Sequence, residues 1–314
     1  MLNNTSLNFA VMCQPVGALA ALVGNTPLIP LQRITAGLAP NVQVYGKAEW
    51  FNPSGSVKDR PALNILSSAL AAGELSSGKR LLDSTSGNMG IAYATLGASL
   101  GIAVTLTIPA NASRERLAIL QALGAEIIQT DPMEGTDGAL REARRLATER
   151  SDLYFYANQY DNPANWLAHY MTTGPEIAEQ TDGQITHFVA GLGTSGTFTG
   201  TGRYLREAIP GVQLTAIQPD SPLHGLEGLK HMPTAIRPAI YDETVADRSM
   251  TVTTEQAYDM TLRLAREEGL FAGVSSGAVV SAALEVAREL DEGIIVAVLP
   301  DAGYKYLSER FWGR

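Results

Sequence analysis

Short apolar runs alternate with longer amphipathic stretches along nearly all of this 314-residue chain. Runs at 42–45, 80–83, 104–108, 126–129, 153–156, 187–190, 214–217 and 294–299 have the length and composition of strands buried on both faces. Between them apolar residues recur at helical spacing. Leu117, Leu120 and Leu123, for instance, face one way while Arg114, Glu115 and Arg116 bring charge to the same segment. This order predicts an α/β protein with mostly parallel sheets. One stretch, 218–240, lacks any period and holds Pro219, Pro222, Gly225, Gly228, Pro233 and Pro238. A loop of that length in a compact enzyme is usually functional or mobile. No Gly/Ser linker or repeat interrupts the chain, so its two expected domains pack closely, dividing near 158–165.

Three of the predicted turns carry chemistry. Lys58 closes Asn52-Pro53-Ser54-Gly55-Ser56-Val57-Lys58-Asp59-Arg60, where a loop of small residues gives way to a helical pattern through Ala62, Leu63, Ile65, Leu66, Ala69 and Leu70. An ordinary helix lysine sits among other charges. This one sits at the positive end of a helix, which favours the neutral amine that forms Schiff bases. Ser84-Thr85-Ser86-Gly87-Asn88-Met89-Gly90 joins a strand to a helix with hydroxyls and free N–H groups, a setting for a carboxylate. Gly191-Leu192-Gly193-Thr194-Ser195-Gly196-Thr197 does the same after 186–190 and suits a phosphate.

A lysine amine, a carboxylate loop and a phosphate loop are the parts a pyridoxal phosphate enzyme needs. Here the chain resembles the fold-type II pyridoxal phosphate enzymes, specifically the cysteine synthases (O-acetylserine sulfhydrylases). The matching pieces run in family order: Gly24-Asn25-Thr26-Pro27-Leu28, the lysine segment, Thr85 to Asn88, and Asn158-Gln159-Tyr160-Asp161-Asn162-Pro163. Then come Thr172-Thr173-Gly174-Pro175-Glu176, Gly193 to Thr197, Gly273-Val274-Ser275-Ser276-Gly277 and Tyr306-Leu307-Ser308. The Thr172–Ile177 run and the short C-terminal part look most like the B-type enzymes.

The resemblance implies two closely packed three-layer αβα domains with the cofactor, pyridoxal 5'-phosphate, in the cleft between them. The expected smaller domain spans 52–160, with a part that closes on substrate, and the larger spans 161–314. A segment near 30–51 crosses between them, and 1–21 forms an extension. It further implies that Lys58 holds the cofactor and later takes the substrate's α-proton. Asn88 contacts the ring hydroxyl, and Gly193, Thr194, Ser195, Gly196 and Thr197 cup the phosphate. Thr85, Ser86, Gly87 and Gln159 bind the substrate carboxylate. Met89, where the family usually has threonine, keeps only the backbone N–H and is expected to pack.

Ser275 matches the partner of the pyridine nitrogen. A neutral hydroxyl there does not keep the ring protonated, so charge at Cα is relieved by expelling a β-group. The implied reaction is β-replacement through an α-aminoacrylate: O-acetyl-L-serine or O-phospho-L-serine plus a sulfur donor such as sulfide gives L-cysteine. Neighbouring activities are a small cystathionine β-synthase and serine or threonine dehydratase. A homodimer is implied, with serine acetyltransferase or a sulfur-carrier protein as possible protein partners.

Composition and other motifs agree. A net charge of −9 argues against nucleic acid or an anionic membrane as partner. The single cysteine, Cys13, allows no internal disulfide, and no basic residue precedes Arg33 to lead a signal peptide, so the expectation is cytoplasmic. Gly191, Gly193 and Gly196 also satisfy a dinucleotide fingerprint, with Asp220 downstream, but a nicotinamide dehydrogenase leaves Lys58 and the Thr85–Asn88 loop without work. Gly273 to Gly277 matches a hydrolase elbow, yet all four histidines (His169, His187, His224, His231) precede Ser275, against that mechanism's order. Their spacing offers no metal site. Lys230, Arg237, His224 and His231 in the aperiodic loop read first as a solvated loop, whose formal charge Asp220 and Glu227 bring to zero. The sharper alternative is that they, with Arg203, face one mouth where a phosphate leaving group could bind.

Overall fold

The computed structural model describes residues 17–75, 78–85 and 87–313. Cys13 and Ser86 lie outside them. Two sheets organise the chain. The larger has six strands in the order β1 (Leu28–Pro30), β2 (Asn41–Ala48), β10 (Glu292–Leu299), β7 (His187–Gly191), β8 (Gln213–Pro219) and β9 (Arg248–Val252). All its pairings are parallel except β1 with β2. The smaller is parallel throughout, in the order β5 (Glu126–Thr130), β4 (Val104–Pro109), β3 (Arg80–Ser84) and β6 (Tyr154–Tyr156). All eight anticipated strands are present; β1 and β9 are additional.

Strand alternation builds the layers. Ile295, Ala297 and Leu299 on β10 enter one core with α8 (Thr254–Glu267) and α9 (Val274–Arg288), while Val296 and Val298 enter a second. That second core takes Ile177 from α6 (Thr173–Gln180) and Phe198 and Leu205 from α7 (Gly196–Ala208). The small sheet buries Leu81, Val104, Leu106 and Ile108 against α1 (Asp59–Ala71) and α2 (Asn88–Leu100). On its other face Thr107 Oγ1 donates to the Ala139 carbonyl of α4 (Gly135–Glu149) at 2.8 Å. Apolar burial on both faces is what a parallel sheet requires.

Arg116 departs from the expectation of a charged outer face. It lies on α3 (Arg114–Ala122) but is only 2% exposed. The stretch 220–242 has no regular element, as expected of 218–240, although its first two residues end β8. It is tied to both halves of the molecule. Lys230 N donates to the Leu192 carbonyl at 2.8 Å, and Ile236 N donates to Asp137 Oδ2 at 2.9 Å on α4.

Candidate active site

The loops that leave the carboxyl ends of β2, β3, β6, β7 and β10 converge on one cavity of about 350 Å³, the place where open α/β sheets bind ligands. Its lining includes Lys58, Thr85, Asn88, Met89, Gln159, Gly193, Thr194, Ser195, Thr197 and Ser275. Gly87 and Gly196 belong to the same loops without lining the cavity.

Lys58 is the N-cap of α1. Its loop is locked from both sides: Asp59 accepts from Ser54 N at 2.6 Å and from the Ser54 hydroxyl, and Val57 N donates to the Pro300 carbonyl at 2.8 Å. Among the described residues no ion pair or side-chain hydrogen bond reaches the Lys58 amine. Burial pulls that amine below the usual lysine range, opposed in part by the Asp301 and Glu49 charges. Such an amine offers a larger neutral fraction near neutral pH.

The loop after β3 is organised by Thr85, whose Oγ1 accepts from Gly87 N at 2.9 Å and Gly90 N at 3.3 Å. Gly87 has φ 157°, and a Cβ there would strike the Arg116 side chain. Gln159 is pinned across the loop, its Nε2 donating to the Ser84 carbonyl at 2.6 Å. Asn88 opens α2; its Nδ2 donates to Asp301 Oδ2 at 2.7 Å and its Oδ1 accepts from Lys305 Nζ at 2.9 Å. Met89 is 2% exposed and belongs to the small sheet's core as well as to the cavity wall.

The loop after β7 bends through Ser195 in the left-handed region, φ 72°, and runs into α7. Thr194 Oγ1 accepts from Gly196 N at 3.3 Å and from Asn165 Nδ2 at 3.2 Å, while the buried Ser195 hydroxyl has no partner among the described residues. Thr197 Oγ1 sits 3.3 Å from His169 Nε2, and His169 Nδ1 sits 2.9 Å from Thr173 Oγ1. Burial, with Arg60 and Lys58 nearby, holds His169 well below the usual histidine range, so it is the neutral ring that bonds both hydroxyls. Sequence reasoning passed over this histidine. A Cβ at Gly193 would meet the Gly228 carbonyl, and one at Gly196 the Asn165 side chain. Ser275, in the first turn of α9, is 4% exposed.

The basic mouth is only partly present. Lys230 and His224 line the cavity, but Lys230 Nζ is paired with Asp137 Oδ1 at 2.8 Å. Arg237 instead pairs with Glu243 at 3.3 Å and stacks on Tyr241, and Arg203 pairs with Asp242 at 2.9 Å and stacks on Trp166; neither lines the cavity. Arg116, unforeseen, also lines the cavity, paired with Glu227 and lying over the Tyr306 ring.

Known proteins share this frame. The pyridoxal-phosphate dependent enzyme family matches residues 19–301. "Cysteine synthase" of Aquifex aeolicus is 50% identical over 91% of this chain and 89% of its own length. "Cysteine synthase B" of Pseudomonas aeruginosa is 43% identical over 92% of this chain and 95% of its own. The crystal structure of the cysteine synthase from Entamoeba histolytica superposes with a TM-score of 0.89 at 33% identity, covering 100% of this chain and 94% of that one. The chain belongs to the pyridoxal-phosphate dependent enzymes, within the group formed by the cysteine synthases.

Proposed function

We propose that this protein makes L-cysteine by β-replacement on O-acetyl-L-serine or a close β-substituted serine, with sulfide as a sulfur donor, using pyridoxal 5'-phosphate. The observation that carries this reading is the convergence of the unpaired Lys58 amine with two helix N-termini and the neutral Ser275 hydroxyl around one cavity.

The residues present fit that cofactor. Ser195 brings a buried hydroxyl without a partner among the described residues, Thr197 a hydroxyl held by His169, and α7 the N–H groups of its first turn, as a phosphate requires. Lys58 would attach the aldehyde, Asn88 would face the ring and Ser275 would meet its nitrogen. Once bound, the cofactor supplies an electron sink that makes the substrate's Cα–H acidic and lets a β-group depart.

The chain's own part is orientation and proton transfer. Thr85, the N–H groups at the start of α2 and Gln159 would fix the substrate carboxylate and turn Cα–H toward Lys58. Lys58, depressed by burial, would take that proton as a free amine and return it at the end. Ser275 adds no negative charge beside the ring, which favours β-exchange over transamination. This reading takes the enzyme to be cytoplasmic, in keeping with its single cysteine, and homodimeric, as the sequence resemblance implies.

The test is turnover. Purified protein with O-acetylserine and sulfide should release cysteine and acetate, whereas homocysteine in place of sulfide should yield far less product. Faster turnover with homocysteine would make it a cystathionine synthase, and pyruvate formation without a thiol would make it a dehydratase.

A further inference from the structure

Lys305 is fully buried, yet it does not line the cavity. It sits in a short 3-10 turn, Gly303–Tyr306, that follows β10. Its ammonium has three protons and the structure gives it three acceptors: the Ser54 carbonyl at 3.2 Å, the Gly55 carbonyl at 3.1 Å and Asn88 Oδ1 at 2.9 Å. Two of these belong to the loop that ends in Lys58; the third is the side chain that opens α2. Burying an ammonium is costly unless every proton is used, so an apolar side chain would suit a mere space-filler better.

The bond to Asn88 has a directional consequence. With a cation on Oδ1 and the Asp301 carboxylate on Nδ2 at 2.7 Å, the amide can adopt only one of its two flipped orientations. Asp301 is held in turn by the Tyr306 hydroxyl at 2.7 Å. Asn88 therefore presents the same edge to the cavity in every molecule, at a fixed distance from the Lys58 loop.

We propose that Lys305 is a positioning residue that sets the amide of Asn88 and the Lys58 loop relative to one another, through hydrogen bonds that span three separate segments of the chain. The inference rests on the reading of Asn88 as a contact of the cofactor ring. A lysine here acts on the cofactor without touching it.

Lys305→Met, Lys305→Gln, Asn88→Ala and the double variant Lys305→Met/Asn88→Ala are compared as holoenzymes by absorption spectrum, kcat, KM for O-acetylserine and thermal midpoint. Asn88→Ala should displace the cofactor's absorption band. Lys305→Met should displace it too and lower kcat by roughly tenfold, as loss of a charge-assisted hydrogen bond predicts, with KM changed less. The double variant should show no further change in band or kcat. Lys305→Gln, which keeps one donor, should fall between, and it carries the test if the methionine variant does not fold. If Asn88→Ala moves the band while both Lys305 variants keep the parent's band and kcat and lose only thermal stability, the proposal is overturned. If Asn88→Ala itself leaves the band in place, the reading of Asn88 fails and the inference falls with it.

Discussion

Arg60 and Glu176, 116 positions apart, meet in a largely buried two-pronged ion pair, with Nη1 to Oε1 at 2.6 Å and Nη2 to Oε2 at 2.7 Å. Lys47 joins the same carboxylate at 2.7 Å, and Arg60 also holds Glu49. Asn25 N donates to Glu176 as well, at 2.9 Å. The Gly24–Leu28 and Thr172–Ile177 motifs are thus halves of one polar joint behind the lysine loop.

That joint predicts an acid limb of stability. Burial alone would raise the Glu176 carboxyl, but Arg60 and Lys47 overcome it and lower it to about 2 from 4.5. The folded value lies below the unfolded one, so the stabilisation is complete above about pH 4.5 and disappears as pH falls through about 2. Glu176→Gln should cost roughly 2–4 kcal/mol at pH 7 and much less near pH 2.5, read from urea midpoints at both pH values. Equal losses at both would remove Glu176 from the account.

Borohydride reduction of the yellow holoenzyme should fix the cofactor irreversibly on Lys58. Lys58→Ala should keep the circular dichroism of the parent and lose all measurable turnover. A reduced adduct mapped to another lysine would displace Lys58 from the mechanism.

Ser275→Asp should keep the ring nitrogen protonated, change the cofactor's absorption when O-acetylserine is added, and slow β-replacement by about tenfold or more. A variant with the parent's spectrum and rate would show that Ser275 is not the nitrogen's partner.

Gly193→Ala forces a methyl group onto the Gly228 carbonyl, so it should destabilise the protein by about 1–3 kcal/mol and weaken cofactor retention. Gly37→Ala has open space around it and serves as the control. Matching behaviour of the two in a cofactor-dialysis assay would contradict the tight approach of these loops.

Lys230→Ala should cost about ten times more activity on O-phosphoserine than on O-acetylserine, because Lys230 lines the cavity although its ammonium is shared with Asp137. Arg237→Ala should treat both acceptors alike, since that arginine is engaged with Glu243 and Tyr241. Steady-state kinetics on the two acceptors separates these outcomes.

The strands that the hydrophobic pattern revealed are those buried on both faces, where a run of apolar residues is unavoidable. β1 escaped notice because it is three residues long and ends in Pro30. β9 escaped because it is an edge with Arg248, Ser249 and Thr251 exposed. The turns at Lys58, Thr85–Asn88 and Gly193–Thr197 were legible because their chemistry is local: small residues, hydroxyls and a helix start within a few positions. Arg116 and Lys305 were not, since each is defined by partners that folding brings from elsewhere. Counting charges within 218–240 likewise placed Arg237 at the mouth, while its partner Glu243 stands just beyond that window.

Among the described residues strand β2 pairs with β1 and β10 only, and its eight-residue register with β10 runs from Asn41 against Glu292 to Ala48 against Leu299. During synthesis, residues 80–156 can assemble the small sheet as soon as they emerge, because all four of its strands are consecutive. The early pair β1–β2 must wait for β10, the strand that joins it to the rest of the large sheet and is made some 250 residues later. That same late strand delivers Asp301 and Lys305 to Asn88 and to the loop of Lys58. A nascent chain on the ribosome therefore cannot assemble a finished cofactor pocket from its first half. Completion of that pocket falls among the last events of its biogenesis, after the final strand has found its place.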